Sequence, residues 1–389
     1  MIPYASFSYF ALALLLVAPA VWLGWRGRGA GRWVLVSAVL MLLVHHGPTS
    51  NLVPGLGRVR DLWVVLGFGA WQYALARGFL AGGGKAAPAW RFRLGLLLGL
   101  APLVLVKLAP VIAPESRIGF LGVSYVTFRS LDVLLGIRDG LVKAVPAGSY
   151  FAFVFFFPTI SAGPIDRYRR FLRDYDAPRS RAQLLADLDT AVWQLHVGLL
   201  FKFILAALVQ QYWMDPAAKL AGWAGMTSYM YAYSAYLFFD FAGYSAIALA
   251  VSYACGIRVI DNFNRPYLAT SIQDFWNRWH ISLSTWFRDQ IYMRFLLANT
   301  KARWVANRQW ASTVAFGITF LLMGLWHGVE WHFVLYGLYH AVLLSVHQAS
   351  GKWLKAQAFT ATRGWTVASW FVTFNLVCFG FLLFSGHLG

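Results

Sequence analysis

Charge is the scarcest feature of this chain: Asp, Glu, Lys and Arg make up 12% of its 389 residues, where a soluble domain carries about a quarter. That deficit, with 59% hydrophobic residues, excludes an ordinary soluble globule and indicates an integral membrane protein. Long polar stretches are missing too. Apolar runs of about 20 residues recur along nearly the whole length and leave no room for a separate soluble domain. The only cysteines, Cys255 and Cys378, lie in apolar runs without a CxxC partner, which argues against a disulfide or a thiolate metal site. The start lacks a basic region and a small-residue cleavage site, so residues 4–25 read as a retained first span rather than a signal peptide. There is no GxSxG elbow and no Walker loop, and the triple glycine at 82–84 reads as a loop. No internal repeat is evident. That counts against a proton-coupled transporter in which His280, His327 and Asp240 would form a relay.

Acidic residues are outnumbered, 15 against 33 Lys and Arg. No compact basic module exists to bind nucleic acid, and none is expected as a partner. The basic residues collect instead in short loops between apolar segments. Candidate spans are 4–25, 33–46, 61–80, 94–113, 119–137, 149–162, 184–213, 227–256, 311–328, 331–348 and 364–385. Arg26, Arg28, Arg32, Lys85, Arg91 and Arg93 fall in one set of early loops. Arg58, Arg60 and Arg117, the last beside Glu115, fall in the alternate set, which places the N-terminus outside. The segment 149–162 would reach only about 21 Å as a helix. With Pro158 inside it, it reads as a partial, re-entrant segment lining a cavity. Residues 257–310 read as a cytoplasmic-side region in which 275–287 dips into the membrane as a helix.

What is there to do chemistry centres on two histidines. His280 lies in DFWNRWHISLSTWFRDQIYMRF (274–295), flanked by Trp279, Ser282 and Ser284. His327 follows Trp326 in GLWHG, at the end of an apolar run. An ionisable group at membrane depth is a functional candidate because leaving it there unpaired is costly. Asp240, in YLFFDFAGYS, reads as a structural partner for Arg129 or Lys202, or as a group orienting a catalytic histidine, with structure favoured. Arg129 and Asp132, three apart, suit an internal ion pair, and Asp166 suits the arginines at 167, 169 and 170. His327, Glu330 and His332 match no zinc-ligand spacing, and His340 and His347 fit a polar stripe on a helix. No metal is expected.

FWNRWHISLSTWFRD at 275–289 with GLWHG at 324–328 resembles the membrane-bound O-acyltransferases. FFPTISAGPIDRYRRF, YLFFDFAGYS and NFNRPYL support the resemblance, which spans roughly 119–345; the first 118 residues carry no matching motif. GVSYVTFRSLDVLLGIRDG and RDQIYMRF are most similar to the branch that D-alanylates teichoic acid. The resemblance implies an all-α polytopic membrane protein, a ring of about ten or eleven transmembrane helices with re-entrant or partial helices around a central tunnel. The chain would be one integral membrane domain: N-terminal spans (1–118), catalytic core (119–345) and a C-terminal span (346–389).

It further implies that His327 is catalytic and His280 its companion, supported by Asp240, Trp279, Ser282, Ser284 and Trp326. No cofactor is bound. The donor is a thioester on the phosphopantetheine of an acidic acyl-carrier protein docking at Arg288, Arg294, Lys301 and Arg303. The acceptor is a polyol or polysaccharide hydroxyl outside the bacterial cytoplasmic membrane, and a small accessory membrane subunit is compatible with this arrangement. Acyl transfer to an alcohol needs a base for the hydroxyl proton, which agrees with the histidines read from position alone. The alternative within the family is O-acetylation of an exported polysaccharide.

Overall fold

The computed structural model describes residues 4, 6–46, 59–112 and 119–388. The expectations resting on Arg58, Glu115 and Arg117 lie outside the described residues. Regular structure among the described residues is helical, and six helices are long and apolar enough to cross a membrane. The protein is an all-α polytopic membrane protein.

The chain forms two compact units. The first comprises residues 1–198 and 244–260. It holds α1 (Phe7–Trp25), α2 (Gly31–His46), α3 (Val59–Ala81), α4 (Ala89–Ile112), α5 (Val123–Arg138), α6 (Ala147–Val154) and α7 (Tyr168–Tyr175). The start of α8 (Arg181–Ala217) and the end of α9 (Gly222–Ala254) complete it. Ser6 starts α1 by accepting the Tyr9 amide, which satisfies one of the amides left over at a helix start.

The partial segment expected at 149–162 is present. α6 has eight residues, which reach about 12 Å. After it the chain makes one tight turn at Phe157–Thr159, with Pro158 inside it. Ending a helix in a buried place strands its last carbonyls, and Arg129 of α5 takes them up. Its guanidinium donates to the carbonyls of Phe153 (3.0 Å), Val154 (3.2 Å), Phe156 (3.4 Å) and Thr159 (2.6 Å), and to the Thr159 hydroxyl. Arg129 is therefore not the ion-pair partner of Asp132 that their spacing suggested. Asp132 accepts from the Arg167 guanidinium at 2.8 Å and from the Tyr168 amide at 3.0 Å. The pairing expected of Asp166 is found with Arg170, at 2.6 Å.

The second unit comprises residues 199–243 and 261–389. Besides its share of α8 and α9 it holds α10 (Ile272–Arg278), α11 (Ile281–Phe287), α12 (Met293–Ala302), α13 (Arg308–His327), α14 (Trp331–Lys355) and α15 (Arg363–Phe384). Side-chain caps mark the helix starts: Ser271 for α10, Asn307 for α13 and Thr362 for α15. α13 and α14 cross where Gly324 meets Gly337. A Cβ on either would run into a carbonyl oxygen of the other helix, Phe333 for Gly324 and Phe320 for Gly337. Small residues let two membrane helices approach backbone to backbone. The crossing fixes the end of α13 that carries His327.

Candidate active site

The helix expected over 275–287 is two short helices, α10 and α11, broken at His280. Nothing in the local sequence breaks it, since neither glycine nor proline is present. The cause is the segment 262–264 lying alongside. The Asn262 carbonyl accepts the Ile281 amide at 3.0 Å and its side-chain oxygen accepts the Ser282 amide at 3.2 Å. The Asn264 amide donates to the Arg278 carbonyl at 3.0 Å, and Phe263 forms an isolated bridge with Trp279. Backbone groups freed by the break are thus satisfied. His280 sits in the left-handed region, φ 43°.

The imidazole of His280 is buried, packed edge-on to Phe241 at 4.7 Å between ring centres. Its Nδ1 has no hydrogen-bond partner among the described residues. His280 belongs to no spanning helix. Burial first, then the nearby His327, lower its pKa to about 3, so the ring is neutral at physiological pH. The same interaction shows that the two histidines, 47 residues apart in sequence, lie within electrostatic reach of each other.

His327 ends α13 and is only partly buried. It lies against Trp326 (4.5 Å) and edge-on to Phe384 (4.9 Å). Trp279 is clamped by Phe263, Phe275 and Phe381, so it belongs to the packing behind His280. Ser282 is held at the α11 start by Asn262, and the Ser284 hydroxyl donates to the Trp279 carbonyl at 3.0 Å. Asp240 pairs with Lys202 at 2.5 Å, the structural role favoured for it. Its neighbour Phe241 is the residue that meets His280.

A cavity of about 400 Å³ runs along one face of α13, past Phe316, Thr319, Phe320 and Met323. Met323 is one helical turn short of His327. Trp276 and Ser284 line its far wall, and Arg288, Tyr292 and Gln348 line its other part. A second cavity of about 770 Å³ shares Tyr292 and Gln348 and opens among Arg303 and Arg308. Together they line α13 from its basic start as far as Met323. Lys301 and Arg303 are exposed there. Arg288 pairs with Asp289 at 2.9 Å, and Arg294 donates to Gln290 at 2.8 Å.

The two residues read as a polar stripe on a helix do lie on one face of α14, and that face turns inward. His347 lines the cavity, and His340 is wholly buried beside Trp276. Their seven-residue spacing puts them on one helical face. That signal was in the sequence, but nothing local says which face turns inward.

A family model described as membrane-bound O-acyltransferase matches residues 3–385. A teichoic acid D-alanyltransferase of Bacillus subtilis is 38% identical, over 99% of this chain and 98% of that protein. One of Lacticaseibacillus rhamnosus is 42% identical over 76% of each. A probable alginate O-acetylase of Pseudomonas syringae is 30% identical over 85% of this chain and 64% of its own length. The family match takes in most of the first 118 residues, where no motif was legible. From near its first residue to near its last, the chain belongs to the membrane-bound O-acyltransferase family.

Proposed function

We propose that this protein transfers a D-alanyl group from a carrier-protein thioester to a hydroxyl of teichoic acid. The observation that carries the reading is the pair of cavities along α13, one opening among basic side chains and the other reaching Met323, one turn before His327 in sequence. In this reading the basic end faces the cytoplasm, as the loop charges suggest, and the membrane is the bacterial cytoplasmic membrane. The donor is the phosphopantetheine thioester of an acidic acyl-carrier protein, whose arm enters the cavity while its body docks on Lys301, Arg303 and their neighbours. The Bacillus subtilis relative named for teichoic acid D-alanylation is similar over nearly all of both chains, and the Lacticaseibacillus rhamnosus one over about three quarters of each. They favour D-alanyl over acetyl.

The chemistry follows from the two histidines. His327 takes the proton from the acceptor hydroxyl as its oxygen attacks the thioester carbonyl carbon. The neutral ring of His280 donates its N–H to the carbonyl oxygen as negative charge develops there. The carbon–sulfur bond then breaks, the proton passes from His327 to the departing thiolate, and the ester remains on the acceptor. A fixed donor in a dry site is worth more than the same donor in water, because no solvent must reorganise.

Membranes containing the protein, given D-alanyl-loaded and acetyl-loaded carrier in parallel, should transfer label from the D-alanyl carrier to teichoic acid. Transfer of acetyl alone to a polysaccharide would establish the reading favoured by the alginate O-acetylase likeness. For the docking surface, Lys301→Glu with Arg303→Glu should raise KM for the carrier about tenfold at low salt, with kcat unchanged. The difference should shrink as salt screens the charges. A KM that ignores both the substitutions and the salt would remove these residues from the docking surface.

A further inference from the structure

His340 touches no reacting atom in the scheme above, yet its position is tightly specified. It lies in mid α14, wholly buried, and its Nδ1 accepts a hydrogen bond from the Trp276 indole N–H at 3.3 Å. Accepting at Nδ1 puts the ring proton on Nε2, which has no hydrogen-bond partner among the described residues. The Nε2 edge faces α15 at Gly380, where a Cβ would come within 2.7 Å of it. Any larger residue there would push the imidazole off Trp276. Tyr336 packs edge-on to the same ring at 4.6 Å, and Phe320 packs edge-on to Trp276 at 4.9 Å.

Trp276 lines the cavity and His340 does not. The indole stands against Phe320, which lies seven residues, or about two helical turns, before His327 on α13. A flat indole can swing about its side-chain torsions unless something holds its edge. A buried N–H left without a partner would also be costly. His340 supplies the acceptor and so fixes where that wall stands.

We propose that His340 is a positioning residue which, through Trp276, sets how much room the cavity along α13 leaves for the acyl group. This rests on the acyl-transfer reading of the cavity. In this proposal the wall favours a D-aminoacyl thioester with a one-carbon side chain over branched ones. His340→Leu removes the acceptor at similar bulk, and His340→Asn restores an acceptor near the Nδ1 position. Gly380→Ala displaces the ring without altering either partner, and Trp276→Phe shrinks the wall.

The test compares transfer from carriers loaded with D-alanine and with D-valine, using full-length protein in membranes. Selectivity for D-alanine should fall at least about tenfold in His340→Leu, Gly380→Ala and Trp276→Phe, in the range that one or two methyl groups command in a fitted pocket. His340→Asn should keep most of it. Combining His340→Leu with Trp276→Phe should lower selectivity no further than the larger single effect, because both act through one contact. If D-alanyl and D-valyl rates fall together and the ratio holds in all variants, His340 is only structural and the inference is overturned. Should His340→Leu fail to accumulate, Gly380→Ala and Trp276→Phe decide the matter by the same ratio. A wild-type protein that transfers no D-alanine would instead sink the proposed function itself.

Discussion

Replacing His327 with alanine should lower acyl transfer from loaded carrier by about 10²–10⁴-fold, the range a positioned general base supplies. The loss should fall on kcat, with KM for the carrier little changed, because the proposed docking surface lies at the opposite end of α13 and, in the proposed mechanism, the side chain acts on the acceptor proton. His327 is only partly buried, so truncating it does not empty the core. Melting temperature in detergent serves as the control. His280→Ala should also lower kcat, through loss of the donor to the carbonyl oxygen, by about 10²–10³-fold. A doubly substituted protein little worse than the worse single variant would show that the histidines act on one transition state. Full activity in His327→Ala, with a normal melt, would remove it from the chemistry and leave the cavity without a base.

Loss of folded protein is the expected result of Arg129→Leu. One guanidinium serves four buried carbonyls at the broken end of α6 and the Thr159 hydroxyl. The Phe153 and Phe156 carbonyls also accept the Phe156 and Thr159 amides, so the substitution strands chiefly the Val154 and Thr159 carbonyls, at about 1–3 kcal/mol each, a sizeable share of a domain's stability. Arg129→Lys should recover little of it. An ammonium is a compact point charge with three donors and cannot reproduce the planar fork that reaches carbonyls on two sides. Thermal unfolding in detergent, with yield from membranes, measures both. A melting point for Arg129→Leu within a degree or two of wild type would mean that α6 closes its own carbonyls by another route.

The contrast between these residues shows what could be read from the sequence. His280 and His327 were legible because ionisable groups in apolar surroundings have few bland explanations. α6 was legible from its length and from Pro158. Arg129 was misassigned because local reasoning looks three and four residues away, and Asp132 stood there. Its real partners are carbonyls 24 to 30 residues on, and backbone oxygens leave no trace in a sequence. The break at His280 was invisible for a related reason. It is imposed by Asn262, and the intervening loop carries no sign that it will lie alongside. His340 was passed over because a helical stripe of histidines looks alike whether it faces lipid or an indole 64 positions earlier in the chain. Only Gly380, far downstream, makes room for that ring.

The left-handed backbone at His280 sets stability and activity against each other at a single residue. A side chain in that conformation costs on the order of 1–2 kcal/mol, which glycine would avoid. Glycine at 280 would relax the turn between α10 and α11 but empty the buried space the imidazole fills against Phe241, and in the proposed mechanism it would leave the thioester carbonyl without its donor. The chain thus holds a buried imidazole on a backbone conformation that side chains rarely adopt.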